Sequence, residues 1–255
     1  MNKRGIMLEF LVGVILALLI FTPTCLFTAK IFRLSQQGQD NFQSFVQELN
    51  DLSKTEKGGD HSRISVLTLD EETALVYFPA DKVESILEIQ DWQTDDYWDK
   101  IILGEEIGSI LAEVLFVKPH SCTGNCLCLF QKYSIEGKIV DRENAEAGLL
   151  GVPQAVVSLT DGDCKTLGFH LEMDDCDFGP YEHADPESEP PRYACKGGFV
   201  IERQLVKKID KELGWKLKDY HVLPRRISIN QLKTPDAITL TSEIPQLPSV
   251  NEEKK

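Results

Sequence analysis

Positive charge is scarce in this chain: 27 Lys and Arg stand against 41 Asp and Glu, for a formal net charge of −14. A nucleic-acid binder needs basic side chains massed on one face to displace the counterions of phosphate. The densest basic runs are the pairs Lys207-Lys208 and Arg225-Arg226, so no nucleic-acid partner is expected. The surplus of carboxylates reads as a solvated, solubilising surface. Catalytic signatures are missing too. There is no G-x-S-x-G elbow, no H-E-x-x-H, no phosphate loop and no dinucleotide glycine fingerprint. An enzyme would have to assemble its site from scattered residues, and no catalytic or cofactor-binding residue is assigned. Five histidines are spread over the chain: His61, His120, His170, His183 and His221. His170, inside GFHLEM, reads as a strand residue with an ordinary structural hydrogen bond. Asp161 and Asp163, in TDGDC, read as turn residues bent by the glycine between them.

Also missing, from Gly5 to Phe27, is any charged residue except Glu9. A run of that length is enough for a helix to cross a bilayer core of about 30 Å. It is longer than a secretory apolar region, and no small-x-small cleavage site follows it. The expectation is therefore a retained transmembrane helix behind a basic tip (1–28), kinked at Pro23. Lys3 and Arg4 before the run nearly balance Lys30 and Arg33 after it. With most of the chain beyond the run, the expected orientation places the C-terminal part outside a cell membrane crossed once. The bilayer is then the first partner.

Lys3-Arg4-Gly5-Ile6-Met7-Leu8-Glu9-Phe10-Leu11 resembles the start of archaeal type IV pilin-like proteins, which have a short basic leader. That resemblance covers about the first thirty residues. It implies that the leader is clipped before the apolar helix and that a glutamate stands fifth in the mature chain. Cleavage after Arg4 would make Gly5 the first residue and Glu9 the fifth. The glutamate would then pair with the N-terminal amine of a neighbouring subunit, which suits a carboxylate that must be neutralised in lipid. The alternative for Glu9 is a place at headgroup depth, stabilised by water and the helix dipole.

Past the apolar run, Phe42, Phe45, Val46, Leu49 and Leu52 repeat at three and four residues, one stripe of an amphipathic stalk helix (29–53). Gly38 interrupts the two parts. A polar, Gly-containing linker (54–61) leads to a domain over 62–233, and the Pro-containing stretch 234–255 reads as a disordered tail. Within the domain, 64–69 and 73–78 read as a hairpin around an acidic turn. Val83, Ile86, Leu87 and then Ile107, Ile110, Leu111, Val114 and Leu115 have helical spacing. Strands are expected at 126–134, 137–140, 154–159, 168–173 and 198–203. A short helix is expected over 207–213, stopped by Gly214. The expected class is α+β: a transmembrane helix, a stalk helix, then a mainly antiparallel β domain with a few helices.

Six of seven cysteines fall inside the domain: Cys122, Cys126, Cys128, Cys164, Cys176 and Cys195. Thr123-Gly124-Asn125 is turn chemistry, and after it Cys126, Cys128 and Phe130 share one strand face. The two thiols on that face are poorly placed to bridge each other but can each reach a neighbouring strand or loop. Outside the cell they would form a disulfide framework, with 15 possible pairings. The alternative is a zinc site on Cys122, Cys126 and Cys128, completed by His120 or a later cysteine, in a cytoplasmic module. The acidic loop 173–189 fails as a calcium loop, because Cys176 and Phe178 stand where ligands are needed. Two functions remain in view. One is a membrane-anchored surface protein with a disulfide-braced external domain, structural, adhesive or pilin-like, meeting other subunits through its N-terminal helix. The other is a membrane-tethered cysteine-based metal-binding or redox module facing the cytoplasm.

Overall fold

Residues 226–233 alternate between buried and less buried positions, whereas 74–78 are buried throughout, and two main sheets account for both patterns. The computed structural model describes residues 13–16, 38–55, 61–91, 109–140, 152–173, 176, 182–183, 192–216, 221–234 and 236–242. Seven strands make the larger sheet, in the order β10 (Phe199–Glu202), β2 (Ala74–Phe78), β5 (Asn125–Val140), β6 (Val152–Leu167), β4 (Ser109–Val117), β3 (Glu84–Asp91) and β9 (Arg192–Lys196). A second sheet runs β1 (His61–Thr68), β12 (Arg226–Lys233), β13 (Ala237–Ser242) and β7 (His170–Glu172). β8 (Glu182–His183) pairs with β11 (His221–Val222). Pairing is antiparallel except for β4 with β6 and β13 with β7. Among the described residues the helical segments are 13–16 (α1), 38–54 (α2) and Leu205–Leu213 (α3).

The two outer strands of the larger sheet, β9 and β10, are consecutive in the chain, so the sheet curls until it is nearly a closed barrel. Only Gly197 and Gly198 link them. Gly197 has φ +80°, and a Cβ on Gly198 would lie 2.0 Å from the Tyr77 carbonyl oxygen. Side chains cannot fit where the chain crosses this seam.

The barrel interior holds Val76, Phe78, Val114, Phe116, Cys128 and Phe130, and α3 closes it with Leu205, Val206 and Ile209. Outside the barrel lies a second core, where Leu75, Tyr77, Leu127 and Leu129 meet α2 and the inner face of the second sheet. Strand β2 and the first part of β5 (126–130) therefore bury both faces. α2 contributes Phe42, Phe45, Val46, Leu49 and Leu52, the stripe read from the sequence. Its end is fixed by Lys233, whose ammonium donates to Ser53 O at 2.7 Å and to Thr55 O, as a cation at a helix C-terminus should.

Several expectations are corrected. The fold is mostly β rather than α+β. Of the residues with helical spacing, Ile86 and Leu87 lie in β3 and Ile110, Leu111, Val114 and Leu115 in β4, while Ile107 lies outside the described residues; the two strands are buried on both faces, Leu87 and Ile89 on one, Glu88 and Glu113 on the other. A two-sided burial pattern erases the period of two. α2 is no free stalk, because its apolar stripe is sealed in the core. Gly38, expected as a weak point, is a close contact, where a Cβ would sit 2.7 Å from Asp70 Oδ2. The stretch read as a tail supplies β13, paired along β12. Asp161 and Asp163 stand inside β6 opposite an irregularity in β5 rather than in a turn. Among the described residues no helix is long and apolar enough to cross a membrane, so the expected transmembrane helix is not found there. The rest of the apolar run lies outside the described residues, as do Lys3, Arg4, Gly5 and Glu9.

Candidate functional site

The cysteines meet in three pairs, Cys122–Cys126, Cys128–Cys164 and Cys176–Cys195. β5 places Cys126 and Cys128 on its barrel-facing side, both fully buried. Cys128 stands directly opposite Cys164 on β6, with 4.1 Å between Cα atoms, so that bridge staples two neighbouring strands. Cys122–Cys126 closes the tight turn through Gly124, whose φ is +105°. Cys176–Cys195 ties a residue of the acidic loop to β9. The three candidate zinc thiolates are thus held in two different bridges, and His120 lies exposed in the turn before Cys122. Among the described residues no group of three His, Cys, Asp or Glu is placed to hold a metal ion.

The turn closed by Cys122–Cys126 is tied to the chain segments around it. The Lys118 ammonium donates to Pro79 O at 2.9 Å and to Gly124 O at 2.7 Å. Asn125 accepts from the Ala80 N–H at 2.8 Å and donates to Phe169 O at 2.9 Å. These bonds fix the ends of β2 and β7 against each other, and between them opens a cleft of about 470 Å³.

Tyr77 forms its floor, 1% exposed. The ring stacks on Phe199 with centroids 5.2 Å apart and meets the His170 ring edge-on at 5.8 Å. The Leu171 N–H donates to the phenol oxygen at 3.2 Å, and His170 Nδ1 lies 2.9 Å from the same oxygen. The phenol oxygen accepts from the backbone and shares a second hydrogen bond with Nδ1. Burial pushes the Tyr77 hydroxyl above the ordinary phenol range, so it stays a neutral donor. Asp81, Lys82, Glu172 and Met173 complete the walls, with Gly197 and Gly198 behind. A fixed aromatic floor with a few oriented polar groups can bind a small group of matching shape. His170 thus has the structural bond expected of it, but nothing in the sequence pointed to Tyr77 as its partner. Ninety-three residues separate the two, and neither stands in a motif.

No protein-family model, curated protein or solved structure matches this chain.

Proposed function

We propose that this chain is a surface protein, a disulfide-braced extracytoplasmic domain held at a cell membrane by its apolar N-terminal run. Its role is structural or adhesive, and the cleft at Tyr77 and His170 is its contact site. One observation carries this reading: all six domain cysteines are engaged in bridges, four of them among the buried residues of the barrel core. Reducing compartments keep such thiols free, whereas exported domains retain them as disulfides. The lack of catalytic motifs favours a structural role. The basic tip Lys3-Arg4 with Glu9 suits pilin-like processing and contact with other subunits, and sequencing the mature N-terminus tests that part. A start at Met1 would leave a plain anchor.

The main test is a thiol count on protein taken from its native membrane, with free thiols blocked at lysis. The domain's six cysteines should resist alkylation until reductant is added. If they alkylate freely, or only after a chelator, the cytoplasmic metal or redox module replaces this reading.

A further inference from the structure

Among the described residues, the outer strand of the second sheet is left unguarded. β1 is an edge: all eight of its residues, His61 to Thr68, pair with β12 in unbroken register, and among the described residues no strand pairs with its other side. Natural sheets blunt such edges with proline, bulges, lysine or a very short strand. β1 has none of these, and its single formal charge is Arg63. Its solvent side instead shows Ile64, 56% exposed, and Val66, 55% exposed.

The face next to this edge is equally unusual for the molecule. Ile64 stands opposite Asn230, which stands opposite Thr241, and Val66 stands opposite Ser228. Leu232, 37% exposed, continues the same face. These positions carry no charge, in a chain of which 27% is charged. Loss of charge with exposed apolar side chains is the composition of an interface centre.

We propose that β1 pairs antiparallel with β1 of a second copy, joining the two four-stranded sheets into one across a two-fold axis. Charge permits a second copy at this edge. Each molecule carries −14, so two copies repel unless they meet where carboxylates are absent, and β1 contains no Asp or Glu. An antiparallel edge is also its own complement about a two-fold axis, since each strand presents to the other the donors and acceptors it needs. The symmetric pairing brings Ile64 and Val66 of both copies together at the centre of the joined sheet.

The test uses the full chain in detergent with Cys25→Ser, which removes the cysteine outside the three bridges. Single cysteines are placed by Ile64→Cys or Val66→Cys, and, as a control far along the chain, Ile139→Cys, a site 73% exposed. On mild oxidation a mixture of the Ile64→Cys and Val66→Cys chains should give a covalent dimer, and Ile139→Cys should stay monomeric. The double variant Ile64→Lys, Val66→Lys, made in exposed positions that the fold tolerates, should sediment at half the mass of the parent. A parent that sediments as a monomer overturns the proposal. So does cross-linking of Ile139→Cys equal to that of the mixture, or a dimer that survives the two lysines. Capture of a different protein by monomeric parent would overturn it too, assigning the edge to a foreign strand.

Discussion

At the scale of single residues, two buried polar groups set measurable expectations. Glu202, 7% exposed, accepts from the Leu205 N–H at 2.7 Å at the start of α3. Burial outweighs the bonds from the Leu205 and Val206 amides, and its carboxyl is pushed up to about 7. The folded chain therefore keeps this proton until about pH 7, whereas the unfolded chain releases it near the ordinary glutamate value. Between those values the unfolded state binds fewer protons, so stability falls as pH rises, and it is fully present only below the unfolded value. The loss across the window is about 3 kcal/mol. Glu202→Gln keeps an acceptor for the amides and removes the titration. Urea unfolding at pH 5 and pH 8 should show the variant gaining on the parent at the higher pH, and parallel behaviour would refute the assignment. Tyr77→Phe removes an acceptor from the buried Leu171 N–H, which costs about 1–3 kcal/mol. It also frees His170 Nδ1, so nitrogen NMR should find a single imidazole tautomer in the parent and a mixture in the variant. Neither residue was legible as a site. Cys126 and Cys128 were legible as sharing a face, because alternation along a strand is local, but Cys164 as the partner of Cys128 depends on register between strands.

At the scale of elements, what could be read was what repeats within one segment. The α2 stripe and the stop of α3 at Gly214, with φ +69°, belong to that class. The larger elements were misread where the chain passes a turn signal without turning. Gly137 lies inside the 16-residue β5, and Gly162 inside the 16-residue β6. At Gly162 a Cβ would lie 3.1 Å from Leu129 O, so this glycine marks a close approach beside an irregular pairing rather than a bend. The seam between β9 and β10 makes the sharpest prediction. In Gly198→Ala the new methyl would meet the Tyr77 carbonyl, a backbone atom within the β2–β10 pairing that cannot swing aside. The cost should reach the upper part of the roughly 1–3 kcal/mol typical of overpacking. Gly168→Ala, with no atom within 4 Å of the new Cβ, should cost far less. Thermal unfolding of the pair checks this, and equal losses would mean that the seam yields more easily than its geometry requires.

At the scale of the whole molecule, closure joins residues that are remote in sequence. β13 ends up parallel to β7 and covers the core with Ile238 and Leu240, although prolines and acidic residues made that region read as a tail. The three bridges cross this topology at different spans, and the spans rank their worth. Loop closure in the unfolded chain grows with the residues enclosed, so Cys128–Cys164, 36 apart, should contribute about 4 kcal/mol, Cys176–Cys195, 19 apart, about 3 kcal/mol, and Cys122–Cys126, 4 apart, about 2 kcal/mol. Replacing each pair with alanines in turn, and unfolding each protein in urea without reductant, should reproduce that order. The smallest bridge has a second role, since its turn carries Gly124 and Asn125, which bond to the cleft rim. Losing Cys122–Cys126 should therefore change Tyr77 fluorescence more than losing Cys176–Cys195, despite the smaller cost in stability. If fluorescence instead follows stability, the turn does not brace the cleft, and the Lys118 and Asn125 bonds suffice without the disulfide.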